Sequence, residues 1–342
     1  MRSAEIRRVL VIFPGALGDL MCLMPTLAAI SRRHPGASVE LMARFELARL
    51  VAGRSVVARA HSIDAREVGE LFADQTSGDA RRFFGEFDRI YSFFASDDGR
   101  FRGRLAAATD AEVSFHSFRP SGEGHVSEGY LRAVGEGASM LDARLEPTAD
   151  DLAAAARALA ESKCDVSNLV VIFPGSGSPG KNWPADRFAA LVSMLTKRSG
   201  ILRAADSALN DSRSPRAGPP APLSATSDDA RHSAVVVLGP AEASIEPIFR
   251  AAGVPVLKDL DLPTVAAIAS VASAFVANDS GVAHLAAAVG ASGVVIFGPT
   301  DPVRWRPVGS GQIDILRREP IDSVETREVA TALLKFVERR QR

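Results

Sequence analysis

Val9-Leu10-Val11-Ile12-Phe13-Pro14-Gly15 stands near the start of the chain, and Leu169-Val170-Val171-Ile172-Phe173-Pro174-Gly175 repeats it in the second half. The pentapeptide VIFPG is identical at 11–15 and 171–175. Each run is apolar without alternation, which is the pattern of a strand buried on both faces of a parallel sheet. Proline and glycine then end the strand. The loops beyond the two copies differ: Ala-Leu-Gly-Asp-Leu after the first, Ser-Gly-Ser-Pro-Gly-Lys-Asn-Trp-Pro after the second.

Outward from these two strands the chain alternates short β-branched runs with Ala/Leu-rich helical stretches. The first copy leads into an apolar helix at 20–34 and a strand at 38–43, with further strands expected at 88–94 and 111–115. After a helix at 148–162 the second copy restarts the pattern. A helix at 185–199, strands at 234–239, 254–258, 274–279 and 293–298, and helices between them complete it. A charged-flanked amphipathic helix closes the chain. The stretch 203–233 is rich in Ser, Pro, Ala and Asp and cannot bury a core, so it is expected to be a disordered insertion. The expectation is α/β: two Rossmann-like domains, 1–155 and 156–342, with parallel sheets facing a central cleft. The last helix is expected to pack back on the first domain. Ligands of such sheets bind beyond the carboxyl ends of the strands, where both FPG loops lie.

Composition narrows the classes. At 342 residues the chain exceeds what one core of about 250–300 residues accommodates. With 46% hydrophobic and 24% charged residues it reads as globular. Forty basic against 41 acidic residues give a net charge of −1, which argues against nucleic acid as a partner. The two cysteines suit a reducing compartment, and the six histidines show no metal-ligand spacing, so no metal and no cofactor are expected. Arg2, Arg7 and Arg8 before VLVIF imitate a signal peptide, but Pro14 and Gly15 interrupt the apolar run. No apolar span reaches about 18 residues, and a cytoplasmic location is expected.

Three loops carry the candidate chemistry. Gly15 and Gly18 permit a tight strand-to-helix turn, and Asp19 stands at the start of a helix. It reads either as a helix cap or as a general base. In the second loop Ser176, Gly177 and Ser178 leave backbone amides open to an anion, and Lys181 adds a positive charge; a solvated lysine on a flexible loop is the plain alternative. Asn182 stands where a Walker motif would need Ser or Thr. Third, Asn278-Asp279-Ser280-Gly281 joins a strand end to a helix start, with His284 one turn in, a place suited to a diphosphate or to a packing histidine. Glu242 comes after the 234–239 strand, where acids bind ribose hydroxyls or simply begin a helix. A dehydrogenase would need GxGxxG, and the first loop lacks that spacing.

Taken together, FPGALGDLMCLMPTLAAI, FPGSGSPGKNWPADRFAAL, LGPAE, NDSGVAHLAAAVG and FGPTDPVRW resemble, in order, glycosyltransferase family 9, the ADP-heptose:lipopolysaccharide heptosyltransferases. The resemblance implies a GT-B fold with the acceptor on the N-terminal domain and the nucleotide-sugar on the C-terminal one. It implies an inverting, metal-independent transfer of a heptose or related sugar, from ADP-heptose, to a lipopolysaccharide core or related glycan. Asp19 matches the family's base, and Lys181 the lysine that offsets diphosphate charge. Ser176 and Ser178, with Gly177 between them, fall in the phosphate loop, and Glu242 matches a ribose-binding acid. Asp279, Ser280, Gly281 and His284 match the block that holds diphosphate and sugar. The partners implied are the donor, a glycolipid or glycan acceptor, and a transient contact with the inner face of the cytoplasmic membrane. The alternatives are another nucleotide-sugar and acceptor, or a nucleotide-sugar-binding homologue without turnover.

Overall fold

The computed structural model describes residues 6–73, 78–137, 143–164, 166–195 and 234–339. The expected insertion at 203–233 lies outside them. The chain forms two compact units. The first comprises Met1–Thr148, Ser280–Gly290 and Asp301–Gly311; the second comprises Ala149–Asp279, Ala291–Thr300 and Gln312–Arg342.

In the first unit five parallel strands, β1 (Arg8–Ile12), β2 (Ser38–Ala43), β3 (Val57–Ser62), β4 (Arg89–Ser92) and β5 (Glu112–Phe115), are ordered β3-β2-β1-β4-β5. The second unit holds six: β6 (Val170–Phe173), β7 (Ala234–Leu238), β8 (Val256–Lys258), β9 (Ala274–Asn278), β10 (Gly293–Phe297) and β11 (Ile313–Arg317). Their order is β11-β10-β9-β6-β7-β8, again parallel. In each sheet the strand order reverses beside the strand that carries the repeat: between β1 and β4 in one, between β6 and β9 in the other. Crossovers diverge to opposite faces at such a point and leave a crevice at the carboxyl edge. The sequence repeat therefore occupies equivalent topological positions.

Two edge strands, β3 and β11, do not stand out in the sequence. Val-Ala-Arg-Ala-His-Ser and Ile-Asp-Ile-Leu-Arg are only partly buried, so charged residues interrupt the apolar signal that marks interior strands. The helix Ala149–Glu161, divided by the expected 155/156 boundary, packs whole against the helix Leu262–Val271 in the second unit. The last helix, Thr326–Arg339, packs on β9 and β10 of the second sheet. Its Val329, Leu333 and Phe336 share a core with Ile172, Trp183 and Ile296, and that shared apolar face decides where it docks.

One interior charge stands out in the first sheet. Glu40, on β2, is fully buried, and Arg8 meets it with two hydrogen bonds of 2.9 and 3.1 Å. His61 on β3 approaches the same carboxylate at 2.6 Å. Burial alone would raise the carboxyl's pKa; the bonds from Arg8 and His61 outweigh it and hold the group below the usual range. Arg8 also bonds Glu86 and lies over the Phe87 ring at 4.6 Å. Removing one partner of a buried pair costs more than replacing both. Arg8→Leu is thus expected to lower the unfolding free energy by about 3 kcal/mol in urea titrations, and R8L/E40L to recover most of it. Equal midpoints for wild type and Arg8→Leu would show that the pair does not matter.

Candidate active site

The first FPG turn is set by sterics. A Cβ on Gly15 would fall 2.4 Å from a Phe13 ring carbon and 2.7 Å from Asp19 Cβ, so no larger residue fits. The Phe13 ring packs edge-to-face on Phe93, Phe118 and Tyr130, with centroids at 5.9, 5.5 and 5.7 Å. The next helix, α1 (Leu17–Arg33), begins earlier than the sequence pattern indicates, with Ala16 at its N-cap. Asp19 is accordingly the third helical residue. Its Oδ2 accepts the Ala16 N–H at 3.0 Å, closing the first turn back on the strand exit. The side chain remains partly exposed, and Oδ1 accepts no hydrogen bond from the described residues. The capping and basic readings are compatible: one oxygen holds the turn while the other stays open.

Tyr130 is buried, donates its hydroxyl to the Phe118 carbonyl at 3.1 Å, and is strongly pushed up in pKa. Burial is the main cause, with the negative charge of Asp19 second. The phenol therefore stays protonated. The helix Gly281–Ala288, part of the first unit, lies against α1. A Cβ on Gly281 would come within 3.0 Å of Leu17 Cβ and 3.2 Å of the Gly18 nitrogen. This close approach buries His284, whose Nδ1 lies 3.6 Å from the Cys22 sulfur, while its ring edge faces Gly18. Ser280 occupies the N-cap without a side-chain cap bond, and among the described residues its buried Oγ has no hydrogen-bond partner.

The second FPG turn serves a different set. A Cβ on Gly175 would meet the Glu242 carboxylate at 2.2 Å, so the glycine lets that side chain lie against the turn. Glu242 is the third residue of the 3-10 turn Pro240–Ile245, and its Oε2 accepts the Gly239 N–H at 2.8 Å. Ser176 shapes the loop: its Oγ donates to the Ser178 carbonyl at 2.7 Å and accepts the Ser178 N–H at 3.3 Å. Gly177 and Ser178 are exposed. Lys181 Nζ donates to Asp279 Oδ2 at 2.7 Å, so the crevice between β6 and β9 holds a part-exposed ammonium against a buried carboxylate. Of the residues singled out in the sequence, Gly15, Gly18, Asp19, Ser280, Gly281 and His284 fall in the first unit. Ser176, Gly177, Ser178, Lys181, Glu242 and Asp279 fall in the second. The Asp279–Ser280 bond is where the NDSG turn passes from one unit to the other. Among the described residues no group of three His, Cys, Asp or Glu side chains is placed to hold a metal ion.

Known proteins match part of the chain in sequence and nearly all of it in fold. Residues 229–331 match glycosyltransferase family 9 (heptosyltransferase). The resemblance drawn from the motifs is borne out there, and the same match supports glycosyltransferase activity. It takes in Glu242, Asp279, Ser280, Gly281 and His284; Asp19 and Lys181 lie outside it. Solved structures extend the likeness of fold along the chain. A glycosyltransferase family 9 protein of Veillonella parvula shares 16% identity at a TM-score of 0.75, covering 98% of this chain and 99% of its own. ADP-heptose lps heptosyltransferase II of E. coli shares 16% at 0.69, covering 98% and 100%. E. coli heptosyltransferase WaaC with ADP shares 19% at 0.61, covering 97% and 99%. No curated protein sequence matches the chain. The expected α/β architecture of two parallel sheets is that of these heptosyltransferase structures.

Sequence reading alone does not single out His125. It caps the helix Val126–Ala133: Nδ1 accepts the Ser127 N–H at 3.2 Å and Nε2 lies 2.8 Å from the Arg306 carbonyl. Arg304 reaches the Pro120 and Gly122 carbonyls at 2.8 and 3.0 Å, so the 301–311 segment is tied to the 118–125 loop. Burial pushes the imidazoles of His125, His34 and His116 below their usual value of 6.5. Just below that pH the unfolded chain holds more protons than the folded one, so stability rises with pH there and is full above it. The melting temperature is expected to be flat above about pH 7 and to fall as the pH drops through about 6.5 and below. His125→Asn should flatten part of that fall; a melting temperature indifferent to pH from about 7 to 5 would contradict the assignment.

Proposed function

We propose that the protein is an inverting glycosyltransferase moving a heptose, or a closely related sugar, from a nucleoside-diphosphate donor, ADP-heptose, to a lipopolysaccharide core or related glycan. The observation that carries the reading is the paired use of one strand exit. At the switch point of the first sheet it presents a partly exposed carboxylate, Asp19; at that of the second it presents Lys181. Asp19 Oδ1 takes the proton of an acceptor hydroxyl as that oxygen attacks the anomeric carbon. The bond from that carbon to the diphosphate breaks, and the electron pair leaves with the nucleoside diphosphate. Lys181 offsets the charge that develops there, and backbone N–H groups of the 175–180 loop add to it. Since Lys181 is paired with Asp279, an incoming phosphate oxygen must compete with that carboxylate or join it. Glu242 keeps one oxygen for a ribose hydroxyl while the other holds the Gly239 amide.

A glycolipid acceptor would bring the protein, working in the cytoplasm, to the inner face of the cytoplasmic membrane. Among the described residues no helix is long and apolar enough to cross one. Support for ADP as the nucleotide comes from the E. coli WaaC structure, which contains it.

Asp19→Asn is the informative variant because an amide oxygen can still accept the Ala16 N–H and preserve the turn. It is expected to lower kcat by about 10²–10⁴ and to leave ADP affinity unchanged. Lys181→Met should instead weaken ADP binding by about 10- to 100-fold, the worth of a charge-assisted hydrogen bond. Calorimetric titration with ADP and a coupled assay of ADP release measure both. If the wild-type protein neither binds ADP nor releases it from ADP-heptose with a core acceptor, this donor is wrong. Full kcat in Asp19→Asn would remove Asp19 as the base.

A further inference from the structure

Asn278 ends β9, and its side chain is fully buried beside the strand exit of β6. Its Oδ1 accepts the Trp183 backbone N–H at 3.0 Å, and its Nδ2 donates to the Pro174 carbonyl at 2.7 Å. Pro174 and Trp183 are the two ends of the loop that carries Ser176, Ser178 and Lys181. A single amide thus closes that loop at both ends. The next residue, Asp279, holds Lys181. Asn278 and Asp279, consecutive in the chain, grip one excursion of backbone at 174, 181 and 183.

The chemistry explains why asparagine suits this place. Pro174 has no N–H and offers only a carbonyl, while Trp183 offers only its N–H here; both must be satisfied away from water. Only a side chain with a donor and an acceptor on one short stem meets both. A carboxylate would set an acceptor against the Pro174 carbonyl, and an aliphatic residue would leave both groups orphaned. The far end of the loop is held independently: Trp183 Nε1 donates to the Val324 carbonyl at 2.9 Å, and Arg187 to the same oxygen at 2.7 Å. Asn278 therefore governs the Pro174 end and the path between, the stretch that carries Ser176, Ser178 and Lys181.

We propose that Asn278 is a positioning residue for the 175–182 loop, setting the geometry with which its amides and Lys181 meet the donor diphosphate. The consequence for catalysis rests on the transferase reading above; the closure of the loop does not.

The two are tested separately. Residue-resolved amide hydrogen exchange on the ligand-free chain compares wild type, Asn278→Ala and Asn278→Asp. In Asn278→Ala, exchange at Trp183 and across 175–182 is expected to be at least about tenfold faster, with the interior of β9 unchanged. In Asn278→Asp the Trp183 amide stays protected while the Pro174 end opens. In turnover, either variant should raise the donor KM about tenfold and leave the acceptor KM as it was, since a general loss of fold would lower active enzyme without that split. Unaltered loop exchange in folded variants overturns the closure. Loosened loop exchange with an unchanged donor KM overturns the positioning role. Should Asn278→Ala not fold, Asn278→Asp, which keeps the volume and one bond, decides both points. Failure of the wild-type protein to bind any nucleoside diphosphate would count against the transferase reading, and the exchange result would still decide the closure.

Discussion

In a parallel sheet whose crossovers diverge, backbone groups at the carboxyl edge between the diverging strands are covered by neither layer of helices. That constraint arises twice here, between β1 and β4 and between β6 and β9. Asp19, Lys181 and Asp279 all stand on the chain that leaves those two places, and Glu242 reaches the second of them from the neighbouring exit of β7. The repeated Phe-Pro-Gly turns the chain sharply out of the sheet, and the residues it carries next arrive at an exposed edge by topology. Asp19 and Lys181 need no long side-chain reach from a distant element, because the strand end delivers them.

Glycines make the tight geometry possible, and they do so by absence of volume. Gly15 leaves room for Asp19 to fold back on the Ala16 amide, and Gly175 leaves room for Glu242. Gly281 lets its helix touch the first turn of α1, where His284 is buried beside Cys22. The two acids share a pattern. Each stands at the third position of a helical turn, where it spends one oxygen on a backbone amide and keeps the other. The bond that looks merely structural also fixes where the remaining oxygen points.

Much of the sheet was legible beforehand because interior strands cannot hide. VLVIF, LVVIF, AVVVL, AFVAN and GVVIF are almost wholly apolar, since both faces are covered. The edge strands β3 and β11 escaped because partial exposure admits Arg59, His61 and Asp314 into them. Asp19 could be picked out from the GD turn, but not its place inside the helix, which turns on whether Leu17 and Gly18 are already helical. The Lys181–Asp279 pair joins residues 98 positions apart, and no local pattern reports such a meeting. Asn278 was visible in the NDSG turn, yet its partners Pro174 and Trp183 are brought to it only by the pairing of β6 with β9.

By itself the sequence determined what depends on local physics: two restarts of a strand-helix pattern, their glycine turns, and the residue types set at each exit. Those come from periodicity and from backbone sterics, which act over a few residues. Only the tertiary structure decided which exits fall at a reversal of strand order. It also sent Ser280–Gly290 to the first unit and the last helix to the second sheet. Such choices depend on complementary apolar faces and on close backbone approach between segments far apart in the chain. A helix carries its apolar stripe in its own sequence, but the surface that will cover it is written elsewhere.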